Sequence, residues 1–263
     1  MNQTHKPMNN NNIQLNVLLV EDEAILALAE KRNLESYGYS VLWASSGEDA
    51  IELFRNDPSI NIILMDINLG NGILGTEAAK IILNHKDIPL IFVSSHTDKE
   101  VVTKTEGITS YGYVVKSSTM TVLDASIKMA LKLFSANQKL KESEEMFMKA
   151  FQFCPTPMAI HDISNRNVFM DCNPAFIAIT GYKKEEILGK TALELGLYSH
   201  PEERAKLLNQ FQEQGFVKNF KNTFRTKTGK ELIRFLSLSK ILISNKEHIF
   251  SVQTESPIEY FDI

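Results

Sequence analysis

The chain has 263 residues, which at roughly 150 residues per domain is about two domains. Hydrophobic residues make up 43% and charged residues 23%, which excludes a disordered or fibrous chain and leaves enough apolar material for a full core. Lys and Arg total 28 against 32 Asp and Glu, a net charge of −4 with no dense basic run, so no nucleic-acid partner is predicted.

Residues 1–14 are polar and Asn-rich and are predicted to be a disordered tail without a secretion signal. No 18 consecutive residues are apolar, so the expectation is no membrane insertion and a cytoplasmic location. Cys154 and Cys172 are too few for a disulfide framework or a four-ligand zinc site and read as thiols in a reducing compartment.

From Asn16 to Phe134 short apolar runs alternate with amphipathic stretches. Val17–Val20, Ser40–Trp43, Ile62–Met65, Leu90–Val93 and Tyr113–Val115 read as strands covered on both faces. Between them, Ile25, Leu28, Ala29 and Leu34 are predicted to share one helical stripe. Ala50, Ile51, Leu53 and Phe54 form a second, and Ala78, Ala79, Ile82 and Leu83 a third. Five strands alternating with five helices predict an α/β domain over 15–134 with a doubly wound, five-stranded parallel sheet. A long helix is predicted from Thr119 to Phe151, with Leu123, Ile127, Ala130 and Phe134 on one stripe and Leu133, Ala136, Leu140 and Phe147 on another. Residues 135–150 read either as a solvated linker or as a continuous helix, even a two-stranded coiled coil.

In an open α/β sheet, function sits beyond the carboxyl ends of the strands. Glu21 and Asp22 follow the first strand, Asp66 the third, Ser94 closes the fourth and Lys116 the fifth. Three carboxylates at one rim are costly unless a cation sits among them, and hard oxygen donors suit Mg²⁺ or Mn²⁺. An ammonium and a hydroxyl beside them can hold phosphate oxygens. The set therefore predicts phosphoryl transfer to a carboxylate, with Asp66 as nucleophile.

The runs Val17-Leu-Leu-Val-Glu21-Asp22-Glu23, Ile62-Ile-Leu-Met-Asp66-Ile-Asn68, Ile91-Phe-Val-Ser94-Ser95 and Gly112-Tyr113-Val-Val-Lys116 resemble the receiver domain of two-component response regulators. The resemblance implies that Asp66 accepts a phosphoryl group from a histidine kinase or a phosphotransfer protein. It implies that Glu21, Asp22, Asp66 and the Asn68 backbone carbonyl hold Mg²⁺, that Lys116 contacts the phosphate, and that Ser94 and Tyr113 are a switch pair. Their repacking would alter the surface of the fifth strand and of the helix expected before it. Ser117 stands where the family usually has proline, and the loop Gly70–Gly75 lacks an acidic residue often found there.

After Pro155 and Pro157 the pattern changes to strands, short helices and then three longer strands. Met158–Asp162 and Asn167–Asp171 come first, Pro174–Thr180, Lys184–Leu188 and Pro201–Glu213 read as helices, and Val217–Thr226, Glu231–Lys240 and His248–Glu255 close an antiparallel sheet. The segment Asn173-Pro-Ala-Phe176 through Thr180-Gly181-Tyr182 to Gly189-Lys190, with Phe224–Lys230, resembles a PAS domain, placed at 151–256 before a tail at 257–263. Asn173 and Gly181 are expected to serve turn geometry. Cys172 lacks the surroundings of a flavin photosensor, and His161 and His200 read as hydrogen-bonded or surface residues rather than haem ligands, so the PAS ligand is unknown. The linker helix or the PAS domain offers a route to a homodimer.

No kinase core and no helix-turn-helix pattern is read in the sequence, which predicts a receiver that is not itself an enzyme. One rival makes the PAS domain a small-molecule sensor and the receiver a phosphorylation-independent scaffold. A second, an aspartyl-phosphate phosphatase, would carry an Asp two residues after the nucleophile, where this chain has Asn68.

Overall fold

A computed structural model describes residues 14–70, 72–95, 107–108 and 111–258. The chain divides into two compact units, Met1–Lys141 and Glu142–Ile263.

In the first unit β1 (Asn16–Val20), β2 (Ser40–Ala44), β3 (Ile62–Asp66), β4 (Leu90–Ser94) and β5 (Tyr113–Val115) form one parallel sheet in the order β2-β1-β3-β4-β5. The apolar runs are continuous because the sheet is covered on both sides, and each strand divides its side chains between two cores. Leu18, Val20, Ile63, Met65 and Phe92 pack with Ala50 and Phe54 of α2 (Gly47–Asn56) and with Ala78 and Ile82 of α3 (Gly75–His85). Val17, Leu19, Ile62, Leu64 and Ile91 pack with Leu34 of α1 (Ala24–Ser36) and with Ile127 and Ala130 of α4 (Met120–Phe153).

The stripes expected on α2 and α3 face the core, but of the one expected on α1 only Leu34 does. Ala27 and Leu34, seven residues apart, are its buried residues, while Ile25 is 84% and Leu28 49% exposed. At about 100° per residue, Ile25 points almost directly away from Ala27. The helix expected between β4 and β5 falls largely outside the described residues.

The long helix is continuous, Met120–Phe153, so the linker alternative is corrected to helix. Ile127 and Ala130 of the first stripe are buried, with Leu123 and Phe134 half-buried. Leu133, Ala136, Leu140 and Phe147 of the second are exposed. No described helix is long and apolar enough to cross a membrane.

The second unit holds an antiparallel sheet in the order β7-β6-β10-β9-β8, built from β6 (Met158–Asp162), β7 (Val168–Cys172), β8 (Phe216–Arg225), β9 (Glu231–Ile243) and β10 (Lys246–Thr254). Three helices, α5 (Pro174–Thr180), α6 (Lys184–Ile187) and α7 (Pro201–Gln214), lie between β7 and β8 in sequence. Ser244 and Asn245, at φ 49° and 60°, make the two-residue turn joining β9 to β10, a conformation that suits the right-handed twist of a hairpin. Asn173 is fully buried and caps α5: its Oδ1 accepts from the backbone N–H groups of Met158 and Phe176, and its Nδ2 donates to the carbonyls of Cys154 and Thr156. Gly181 ends the same helix at φ 76°. Both therefore serve geometry, as their sequence context suggested.

A bulge interrupts the pairing of β8 with β9 between Val217 and Phe220. There Asn219 takes φ 52°, and its carboxamide bonds both the N–H and the carbonyl of Ile258, each at 2.8 Å.

Candidate functional site

The rim beyond the carboxyl ends of β1, β3, β4 and β5 collects the charged residues singled out from the sequence. Glu21 is buried directly after β1; its N–H donates to the Ala44 carbonyl at 3.1 Å, and its carbonyl accepts from the Trp43 indole N–H at 2.8 Å. Asp66 is the last residue of β3, the central strand, in which all five residues are buried. Its Oδ1 accepts from the backbone N–H of Asn68 at 3.2 Å, which sets the carboxylate's orientation. Carboxylate oxygens of Glu21, Asp22 and Asp66 lie within 4.8 Å of one another, Asp22 being the exposed member.

Lys116, immediately after β5, closes the cluster. Its ammonium donates to Asp66 Oδ2 at 2.6 Å and contacts Glu21 Oε2 at 2.5 Å. Desolvation works against its charged form, but Asp66 and Glu21 outweigh it and raise the pKa above the ordinary lysine value. For Glu21, burial is the largest influence and Asp66 adds to it, so its carboxyl rises above the usual range despite the Lys116 bond.

Three carboxylates and one ammonium sum to about two negative charges when ionised, and only Glu21 and Asp66 of the three are paired with the ammonium among the described contacts. The all-oxygen donor set fits Mg²⁺ or Mn²⁺, which coordinate carboxylates and keep several waters. Ser94 is buried at the end of β4, and its carbonyl accepts from the Lys116 N–H at 2.9 Å. Tyr113 is half-buried at the start of β5, against the core on the α2–α3 side of the sheet. Sequence spacing thus placed Glu21, Asp22, Asp66, Ser94 and Lys116 at one rim, whereas Tyr113 lies at the opposite end of its strand. Among the described residues no peptide bond is cis, Ser117 included.

Two neighbours were not evident from the sequence. Gly75, the first residue of α3, lies so close to Asp66 that an added Cβ would stand 1.8 Å from the Asp66 carbonyl oxygen. A glycine in a glycine-rich loop carries no mark of that approach. Glu30 on α1 lines a small pocket with Lys116 and Met120, and burial, with repulsion from Glu21 and Asp66, pushes its pKa up to about 7. Its place in the helical pattern reads as a solvated charge.

In the second unit, Cys172 is fully buried and desolvation pushes its thiol pKa to about 11, which makes it unreactive. His161 bonds Ser251 Oγ through Nε2 at 2.9 Å, and desolvation lowers its pKa to about 4. His200 is exposed.

Known proteins fall in line with this division. Residues 17–128 match the response regulator receiver domain family and residues 155–255 match a PAS domain family. The transcriptional regulatory protein YrkP of Bacillus subtilis, named as uncharacterized, is 31% identical over 134 residues, 50% of this chain and 56% of that protein. The response regulator UvrY of Escherichia coli is 34% identical over 107 residues, 40% of this chain and 48% of its own length. The chain therefore spans about half the length of the curated relatives it matches. Among solved structures, the N-terminal domain of a response regulator/sensory box/GGDEF three-domain protein from Carboxydothermus hydrogenoformans is 40% identical. It covers 46% of this chain and 98% of its own, with a TM-score of 0.44.

Proposed function

We propose that this chain, in which a response regulator receiver domain precedes a PAS domain, accepts a phosphoryl group on Asp66 from a histidine kinase or a phosphotransfer protein and passes that state on through α4. The observation that carries the reading is the convergence of Glu21, Asp22, Asp66 and Lys116 at neighbouring strand ends. Domain limits are read as 15–134, 135–150 for the helical linker and 151–256. The chain acts as a receiver and not as an enzyme, with no nucleic-acid contact of its own.

In the transfer, an Asp66 carboxylate oxygen attacks phosphorus in line with the donor's P–N bond. That bond breaks, its electron pair stays on the donor imidazole, and an acyl phosphate forms. Lys116 releases part of its grip on Asp66 Oδ2 and pairs with a phosphoryl oxygen, so the positive charge stays where negative charge gathers. Glu21, Asp22, Asp66 and the Asn68 carbonyl would hold a divalent cation, which would supply further charge neutralisation. Ser94 then bonds a phosphoryl oxygen, and the Tyr113 ring follows into the space it leaves. Exposed Ile25 and Leu28, on the helix that begins three residues after Glu21, supply an apolar surface for the donor to dock on.

Intact-mass analysis after acetyl phosphate treatment tests the reading. One phosphoryl group is gained with Mg²⁺, and none without it or in Asp66→Asn. Ile25→Asp with Leu28→Asp leaves acetyl phosphate labelling intact and slows labelling by a phosphorylated donor. Absence of labelling where another receiver labels favours the PAS-sensor reading with the receiver as scaffold, for which signalling survives Asp66→Ala.

A further inference from the structure

Of the three carboxylates at the rim, two are held by partners and one is not. Glu21 and Asp66 pair with the Lys116 ammonium, and Asp66 also accepts from the Asn68 N–H. Asp22 is exposed, and among the described residues no hydrogen bond or ion pair holds its side chain. Repulsion from its two neighbours drives it outward, yet a carboxylate oxygen of Asp22 lies within 4.8 Å of theirs.

The backbone on its N-terminal side is what opposes that repulsion. The Glu21 N–H donates to the Ala44 carbonyl at 3.1 Å. The Glu21 carbonyl, which belongs to the peptide joining Glu21 to Asp22, accepts from the Trp43 indole N–H at 2.8 Å. Strand β2 turns away at this point: the Ser45 N–H bonds Asp49 Oδ2, and the Ser46 hydroxyl caps α2 through the Asp49 N–H. The indole therefore takes the place that the next backbone donor would hold in a longer strand pair. Glu21 is 1% exposed, so little water reaches that carbonyl to replace the bond.

On its other side Asp22 meets the loop after β3, where a Cβ added at Gly70 would stand 2.7 Å from Asp22 Oδ2. Asp22 is thus confined between a tied peptide and a close-packed glycine.

We propose that Trp43 is a positioning residue of the cation site. Its indole N–H fixes the Glu21–Asp22 peptide so that the Asp22 carboxylate stays near Glu21 and Asp66 with no bond of its own. The fold, not the metal, then does the work of drawing three like charges together. The inference rests on the reading of the rim as a divalent-cation site.

Trp43 is the only tryptophan in the chain, so biosynthetic replacement alters this one position. Benzothienylalanine keeps the shape of the ring system and lacks the N–H, whereas fluorotryptophan keeps both. Mg²⁺ binding is read in the full chain from the rise of the first unit's melting temperature with Mg²⁺ concentration, which needs no phosphoryl transfer. The benzothienyl protein is expected to need about tenfold more Mg²⁺ than wild type for the same rise, and the fluoro protein to match wild type. Acetyl phosphate labelling of the benzothienyl protein slows at low Mg²⁺ and recovers at saturating Mg²⁺. In Asp22→Ala the same replacement leaves the Mg²⁺ requirement unchanged, because nothing remains to be positioned.

A benzothienyl protein with a lower melting temperature but an unchanged Mg²⁺ requirement gives the indole a structural role alone and overturns the proposal. So does an equal loss in the fluoro protein, or a loss that persists in full in Asp22→Ala. A wild-type chain indifferent to Mg²⁺ overturns the cation-site reading and this inference with it. Mg²⁺ binding with the expected shift but no labelling supports this inference and refutes the transfer reading alone.

Discussion

Replacing Lys116 by Met keeps most of the aliphatic stem and removes the one cation that meets both Asp66 Oδ2 and Glu21 Oε2. With oxygens of Glu21, Asp22 and Asp66 within 4.8 Å of one another, each ionised pair at that limit repels by about 3.5 kcal/mol at an effective dielectric constant near 20. Protonating one carboxylate relieves part of this, so a net loss of about 3 kcal/mol is expected near pH 8 without divalent cations. The sign follows from linkage. Without the ammonium the Glu21 carboxyl, already above its usual range, rises further, so the deficit is absent below the ordinary carboxylate range and grows as pH climbs past it. Millimolar Mg²⁺ offsets the loss by binding the folded state alone. Urea unfolding read through indole fluorescence isolates the first unit, because Trp43 is the only tryptophan and its N–H is bonded to the Glu21 carbonyl. A Lys116→Met protein as stable as wild type near pH 8, or a deficit indifferent to both pH and Mg²⁺, would refute the reasoning.

Gly75→Ala forces a methyl group against the Asp66 carbonyl oxygen. It is expected to lower stability by about 3 kcal/mol or more and to slow acetyl phosphate labelling, both measurable on one sample. Glu30, with its pKa pushed up to about 7, costs the fold stability as pH rises from the ordinary carboxylate range through that value. Glu30→Gln should therefore be more stable than wild type near pH 8, with the gain fading by pH 4 in melting curves. Asn173→Ala strips partners from two backbone N–H groups and two carbonyls around α5, for an expected loss of about 3–5 kcal/mol in the second unit. Asn173→Asp, which keeps only the acceptor half, should not restore stability in denaturant titrations.

The strands of the parallel sheet were legible because coverage on both faces leaves short, uninterrupted apolar runs such as Ile62–Met65. The acidic rim was legible for the same reason: a charged residue directly after such a run must stand at the strand's end. Helix α1 was misread in part because Ile25 and Leu28 are apolar without being buried, and hydrophobic pattern cannot separate a core stripe from apolar residues left exposed. Gly75 owes its environment to the tight return of the loop after β3 onto Asp66, and Glu30 to residues in and after β5 that are distant in sequence.

The bulge at Asn219 has a consequence for how the second sheet ends. Strand β8 is an edge strand, and an edge with unpaired backbone groups is an invitation to another chain. Here the φ of 52° at Asn219 breaks the flat outline, and its carboxamide imitates a neighbouring strand's backbone by holding both polar groups of Ile258. The exposed side chains of Lys218 and Lys221 flank the break with positive charge. One side chain thus marks where the regular edge stops: the bulge breaks the ladder that an added strand would copy, and the Asn219 carboxamide is already taken up by Ile258.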